Sequence, residues 1–84
     1  MYEIILSREA AKVLERLTLQ MEHRVIRELE KAKANPLRGK KLKGELEGLL
    51  SLRIGDMRVI YEVDTVQRLL IVHAIGSRGD IYKG

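Results

Sequence analysis

Leu50-Ser51-Leu52-Arg53-Ile54-Gly55-Asp56-Met57-Arg58-Val59-Ile60-Tyr61-Glu62-Val63 is the stretch that decides the fold. Leu50, Leu52 and Ile54 alternate with Leu49, Ser51 and Arg53. Met57, Val59, Tyr61 and Val63 alternate with Arg58, Ile60, Glu62 and Asp64. A period of two belongs to strands with one buried face. Gly55-Asp56 between the runs is a two-residue turn signal of the Gly-X type. Strands joined by so short a loop are antiparallel neighbours. Asp64 to Arg68 reads as a second turn and Leu69 to Ile75 as the next strand. With Met57, Val59 and Tyr61 turned inward, Tyr61 belongs to the core and Arg58 faces out. Arg53 and Arg58 then line a cationic, solvent-facing groove, with the Lys40–Lys43 segment at its rim.

Upstream the period lengthens. Tyr2 to Leu6 is β-rich and reads as a strand. Ser7 is an N-cap candidate, and Ala10, Val13, Leu14 and Leu17 follow at helical spacing, which predicts a helix over residues 8–17. Thr18 caps a second helix, in which Met21, Val25, Leu29 and Ala32 form the apolar stripe and Ile26 widens it. Asn35-Pro36 stops it, because the residue before proline avoids the α region. Pro36 to Gly48 holds the only proline and three of the seven glycines, and reads as a basic loop. The expected architecture is α+β: a β-α-α-β-β-β order, an antiparallel-rich sheet, and the helical hairpin packed on one face. Residues 1–84 make one domain, with no repeat and no low-complexity segment.

Composition narrows the function. The net charge of +4 comes from 16 basic and 12 acidic residues. Lys31, Lys33, Arg38, Lys40, Lys41 and Lys43 form a block without an acid among them. Such a block suits a polyanion or an acidic protein partner. There is no cysteine, so disulfides and thiolate metal sites are excluded. The N-terminus lacks the basic and long apolar regions of a signal peptide, and Leu69 to Ile75 is too short to span a bilayer. The expectation is a soluble, cytoplasmic protein that engages no membrane.

His23 and His73 have no metal-ligand spacing. His23 reads as a surface helix residue and His73 as a packed, hydrogen-bonded one. No nucleophile elbow and no phosphate-binding glycine loop is present, and three tyrosines are too few for a base-stacking platform. Three arginines and a tyrosine stand out instead: Arg53, Arg58, Arg78 and Tyr82. Guanidinium groups match phosphate oxygens in fork geometry and stay charged. RNA carries its own nucleophile, the 2′-hydroxyl. A protein that cuts it need only align that hydroxyl, accept its proton and stabilise the charged phosphorane. The duller reading makes Arg53 and Arg58 strand-surface charges facing Glu62, and lets Arg78 pair with Asp80.

The run Leu52 to Val63, followed by Ile75-Gly76-Ser77-Arg78-Gly79-Asp80-Ile81-Tyr82, closely resembles the RelE branch of the RelE/ParE toxin superfamily. Lys41-Leu42-Lys43-Gly44 and the helical hairpin ending in Asn35-Pro36 also fit, so the resemblance covers the whole chain. It implies a toxin of a type II toxin–antitoxin system that cleaves messenger RNA in the ribosomal A site and inhibits translation. It implies Arg58 and Arg78 at the scissile phosphate and Tyr82 as stacking residue or general base. Arg53, Lys40, Lys41 and Lys43 would hold RNA backbone. The implied partners are a cognate antitoxin, the ribosome with its message, and operator DNA only as the toxin–antitoxin complex. No cofactor and no metal is implied. The sequence departs from the pattern at Ser51, where some members carry a basic residue, and at Ser77, where many carry histidine. Two alternatives share the scaffold: a ParE-like inhibitor of DNA gyrase without nuclease activity, and a catalytically weakened regulatory partner of the antitoxin.

Overall fold

The computed structural model describes residues 2–77. The chain begins with strand β1 (Glu3–Leu6) and two helices, α1 (Arg8–Arg16) and α2 (Leu19–Ala34). Both helices start where a hydroxyl meets a free backbone donor. Ala10 N–H donates to Ser7 Oγ at 3.0 Å, and Met21 N–H donates to Thr18 Oγ1 at 3.2 Å. Leu17, in extended conformation, separates the helices. Asn35 ends α2 ahead of Pro36, its φ of −140° already outside the helical region.

Strands β2 (Lys40–Lys41), β3 (Leu50–Ile54), β4 (Met57–Asp64) and β5 (Leu69–Ser77) complete a five-stranded sheet ordered β1-β5-β4-β3-β2. The β2-β3-β4-β5 ladder is antiparallel, and β1 closes the other edge parallel to β5. The expected architecture is present, with one addition. The segment read as a continuous basic loop contains β2 and two 3-10 turns, Pro36–Arg38 and Gly44–Leu46. A strand of two residues carries no periodicity to read.

The helices cover one face of the sheet. Ala10, Val25, Leu29 and Ala32 meet Leu50, Leu52, Ile54, Val59, Tyr61, Leu70, Val72 and Ile75 in one core cluster. Tyr61, Ile54, Leu70, Val25, Val59 and Val72 are the largest fully buried side chains. Each aliphatic among them contributes about 1.5–3 kcal/mol by leaving water.

The β5 pattern is broken by a bulge. Ile60 pairs with Ala74 but Tyr61 pairs with Val72, so His73 is an extra residue. Strict alternation would send Ile75 to the open face with Ile71. The inserted residue returns it to the core, where it is 5% exposed. His73 is therefore not packed as expected. It is exposed, and its Nε2 lies 2.9 Å from Glu62 Oε1. Its carbonyl accepts from Ser7 Oγ at 2.8 Å, which ties the α1 cap to the bulge.

Candidate nucleic-acid interface

The β3–β4 hairpin sets the geometry. Ile54 and Met57 flank the Gly55-Asp56 turn, so Arg53 and Arg58 are direct cross-strand partners. Gly55 has φ +61° and Asp56 does not share the positive value, as a type II′ turn requires. Both arginines lie on the face opposite the helices. Arg53 is exposed and its Nε donates to Gly55 O at 3.4 Å. Arg58 is half-buried and its Nη1 reaches Ser51 Oγ at 3.4 Å. Ser51, at a position where a basic residue was the alternative, is 4% exposed and serves as a polar contact for Arg58. On the β5 side the partner of Arg58 is Gly76. Arg53, Gly55, Asp56, Met57 and Arg58 line a shallow pocket of about 110 Å³. Two guanidinium groups held side by side suit the oxygens of a phosphate.

Besides the β2–β3 pairing, one buried side chain ties the start of the basic segment to the sheet. Tyr61 Oη donates to Pro36 O at 2.8 Å and accepts from Gly39 N–H at 3.0 Å. Burial raises the pKa of the Tyr61 hydroxyl, while the Gly39 N–H and the Arg38 charge partly offset this. Gly39 has an ordinary φ of −72°, so backbone strain does not explain the residue. Space does. A Cβ there would stand 2.6 Å from Tyr61 Oη and 3.0 Å from Ser51 O.

The basic block is not uniform. Lys31 and Arg38 contact Glu28 at 3.4 and 4.0 Å, and Lys33 contacts Glu30 at 3.6 Å. Among the described residues Lys40, Lys41 and Lys43 have no ion pair. Lys40 pairs in register with Ser51, on the face of Arg53 and Arg58. Lys41 pairs with Leu50, on the helix side. Lys41 and Lys43 line a wider pocket with Leu37, Leu42, Leu49 and Val63. The structure thus brings Lys40, Arg53 and Arg58 to one face and sets Lys41 and Lys43 around its edge. Arg78 and Tyr82 lie outside the described residues. The last of those, Ser77, pairs with Met57, one position from Arg58.

One cation at this hairpin had no signal in the sequence. Arg24 of α2 lies outside the apolar stripe of its helix, and its guanidinium rests against Gly55. Glu62, read as a possible partner for the arginines, is engaged with His73.

Among the described residues no helix is long and apolar enough to cross a membrane. No curated protein matches the chain. The fold is shared with a chain of the toxin–antitoxin complex RelBE2 from Mycobacterium tuberculosis. That match has TM-score 0.84 and 26% identity, and covers 92% of this chain and 98% of that one. A chain of the intact E. coli RelBE complex matches with TM-score 0.81 and 18% identity over 92% and 96% of the two chains. A YoeB/ParE toxin from Agrobacterium tumefaciens matches with TM-score 0.80 and 22% identity over 92% and 98%. The family described as ParE toxin of type II toxin-antitoxin system, parDE, matches residues 4–82. The chain belongs to that family: it is a toxin of a type II toxin–antitoxin system in the RelE/ParE superfamily.

Proposed function

We propose that this toxin is a ribosome-dependent endoribonuclease that cleaves messenger RNA in the A site and so inhibits translation. The observation that carries the reading is the opposition of Arg53 and Arg58 across the β3–β4 hairpin. Two permanent cations side by side on an open sheet face suit the non-bridging oxygens of a phosphodiester. In the reaction the 2′-hydroxyl attacks the neighbouring phosphorus, the bond from phosphorus to the 5′-oxygen breaks, and a 5′-hydroxyl leaves. Arg58 is the half-buried member of the pair and is better placed to stabilise the phosphorane. Exposed Arg53, with Lys40, holds the backbone beside it. By resemblance Arg78 joins Arg58 at the phosphate, and Tyr82 stacks on the RNA or takes the 2′-hydroxyl proton. No step calls for a metal or a cofactor.

A cognate antitoxin partner fits the toxin–antitoxin complexes among the structural relatives. Repression of the operon by the complex, and a cytoplasmic location, go with the same reading. The match to a family carrying the ParE name favours a second reading, a gyrase inhibitor acting through protein contacts. A gyrase binder has no need of arginines paired for a phosphate.

The test is in vitro translation with the purified protein, followed by primer extension on the programmed message. Cuts that require ribosomes and vanish in Arg58→Ala and Arg78→Ala support the nuclease. An intact message with normal translation, together with inhibited DNA supercoiling, supports the gyrase reading.

A further inference from the structure

Two guanidinium groups meet the β3–β4 turn from different elements. Arg53 bonds Gly55 O from within the hairpin. Arg24 approaches from α2. A Cβ built on Gly55 would lie 3.1 Å from Arg24 Nη1, 3.5 Å from its Cζ and 3.7 Å from its Nη2. A side chain at this turn position would crowd the Arg24 guanidinium, which the glycine lets lie close to the turn. Its neighbour Val25 is fully buried and seats this turn of α2 in the core.

The electrostatics here contrast with the rest of α2. Further along the helix, Lys31 and Lys33 each contact a glutamate, and Glu28 also reaches Arg38. Arg24 and Arg53 have no ion pair among the described residues, although Asp56 stands in the same turn and is exposed. With Arg58, three permanent cations border one hairpin end, and a cluster of one sign at an exposed turn attracts a polyanion.

We propose that Arg24 is an RNA-binding residue, which with Arg53 takes a second backbone phosphate next to the one at Arg58. The strand would then run over the β3–β4 turn towards α2. This rests on the nuclease reading and adds to it a contact remote from the reacting atoms. Such a contact contributes to binding and not to the chemical step. A phosphodiester backbone is favoured over an acidic protein surface because Arg24 and Arg53 converge on the turn that also borders the Arg58 pocket.

The test is single-turnover cleavage on ribosomes programmed with a defined message, over a range of toxin concentrations and salt. The variants are Arg24→Gln, Arg58→Gln and, as a control of equal charge change, Arg27→Gln, an exposed residue of the same helix. Arg24→Gln should raise the half-saturating toxin concentration roughly 3- to 10-fold at unchanged maximal rate. It should also lower the salt slope of that concentration by about 0.7, the loss expected for one phosphate contact on a single strand. Arg58→Gln should lower the maximal rate. If Arg24→Gln matches Arg27→Gln in both quantities while Arg58→Gln is impaired, the proposal fails and the nuclease reading stands. If the wild-type protein cuts nothing on programmed ribosomes, both fail. Matching thermal melts of wild type and Arg24→Gln would exclude a folding defect as the cause.

Discussion

Tyr61 Oη and Gly39 N–H are joined by a 3.0 Å hydrogen bond in which the glycine has no room for a side chain. The bond links the centre of β4 to the start of the basic segment, and the same hydroxyl donates to Pro36 O. Lys40, the next residue, pairs with Ser51 beside the arginine face.

Tyr61→Phe should keep the fold and lose both bonds. Leaving the Gly39 N–H and Pro36 C=O without their partner costs about 1–3 kcal/mol. Urea denaturation should report that loss, and amide exchange at Gly39 should quicken more than at Val59. Unchanged exchange at Gly39 would mean that Tyr61 does not hold the segment.

Gly39→Ala should be destabilising because the new methyl overlaps the Tyr61 hydroxyl. Overpacking of this kind costs about 1–3 kcal/mol. Combining it with Tyr61→Phe removes the hydroxyl, the nearest of the three atoms the methyl would meet, so the double variant should lose less than the sum of the singles. Strict additivity in the cycle would contradict the steric account.

Alkaline pH should weaken the fold through Tyr61. Burial raises its folded-state pKa, so the folded protein holds the phenolic proton more tightly than the unfolded chain does. The associated stability is fully present below the unfolded value of about 10 and is lost as pH rises through the folded one. Stability measured between pH 8 and 11 should fall more for the wild type than for Tyr61→Phe. Parallel curves would assign the decline to other groups.

Ser7→Ala should remove two interactions at once. The Oγ accepts from Ala10 N–H and donates to His73 O. An N-cap alone is worth about 0.5–2 kcal/mol, and the bulge carbonyl adds to it. Thr at this position should restore most of the loss in a thermal melt, and failure of Thr to do so would point to packing.

Arg58→Ala should lower maximal cleavage about 10²- to 10³-fold, the usual effect of removing one preorganised group from a charged transition state. Arg58→Lys should recover little, because an ammonium cannot reproduce the guanidinium fork. Arg53→Ala should act chiefly on the toxin concentration needed. Full activity in Arg58→Ala with a native circular dichroism spectrum would remove Arg58 from the site.

The local elements were determined by the sequence alone. The Ser7 and Thr18 caps, the Asn35-Pro36 stop and the Gly55-Asp56 turn each depend on residues within about four positions of one another. The Arg53–Arg58 pairing follows from the same local rule, because a two-residue turn at Gly55-Asp56 fixes the register of every pair behind it. Longer-range relationships were decided by the tertiary structure. The parallel seat of β1 beside β5 joins segments from opposite ends of the chain, and β2 meets β3 across a loop that carries no periodicity. The bulge at His73 depends on sending Ile75 to the core, a choice that the unbroken apolar run Leu69 to Val72 does not disclose. Tyr61 and Gly39 stand 22 positions apart, and Arg24 meets Gly55 from another element. In each case the deciding quantity is the space between packed elements, which no periodicity along the chain encodes.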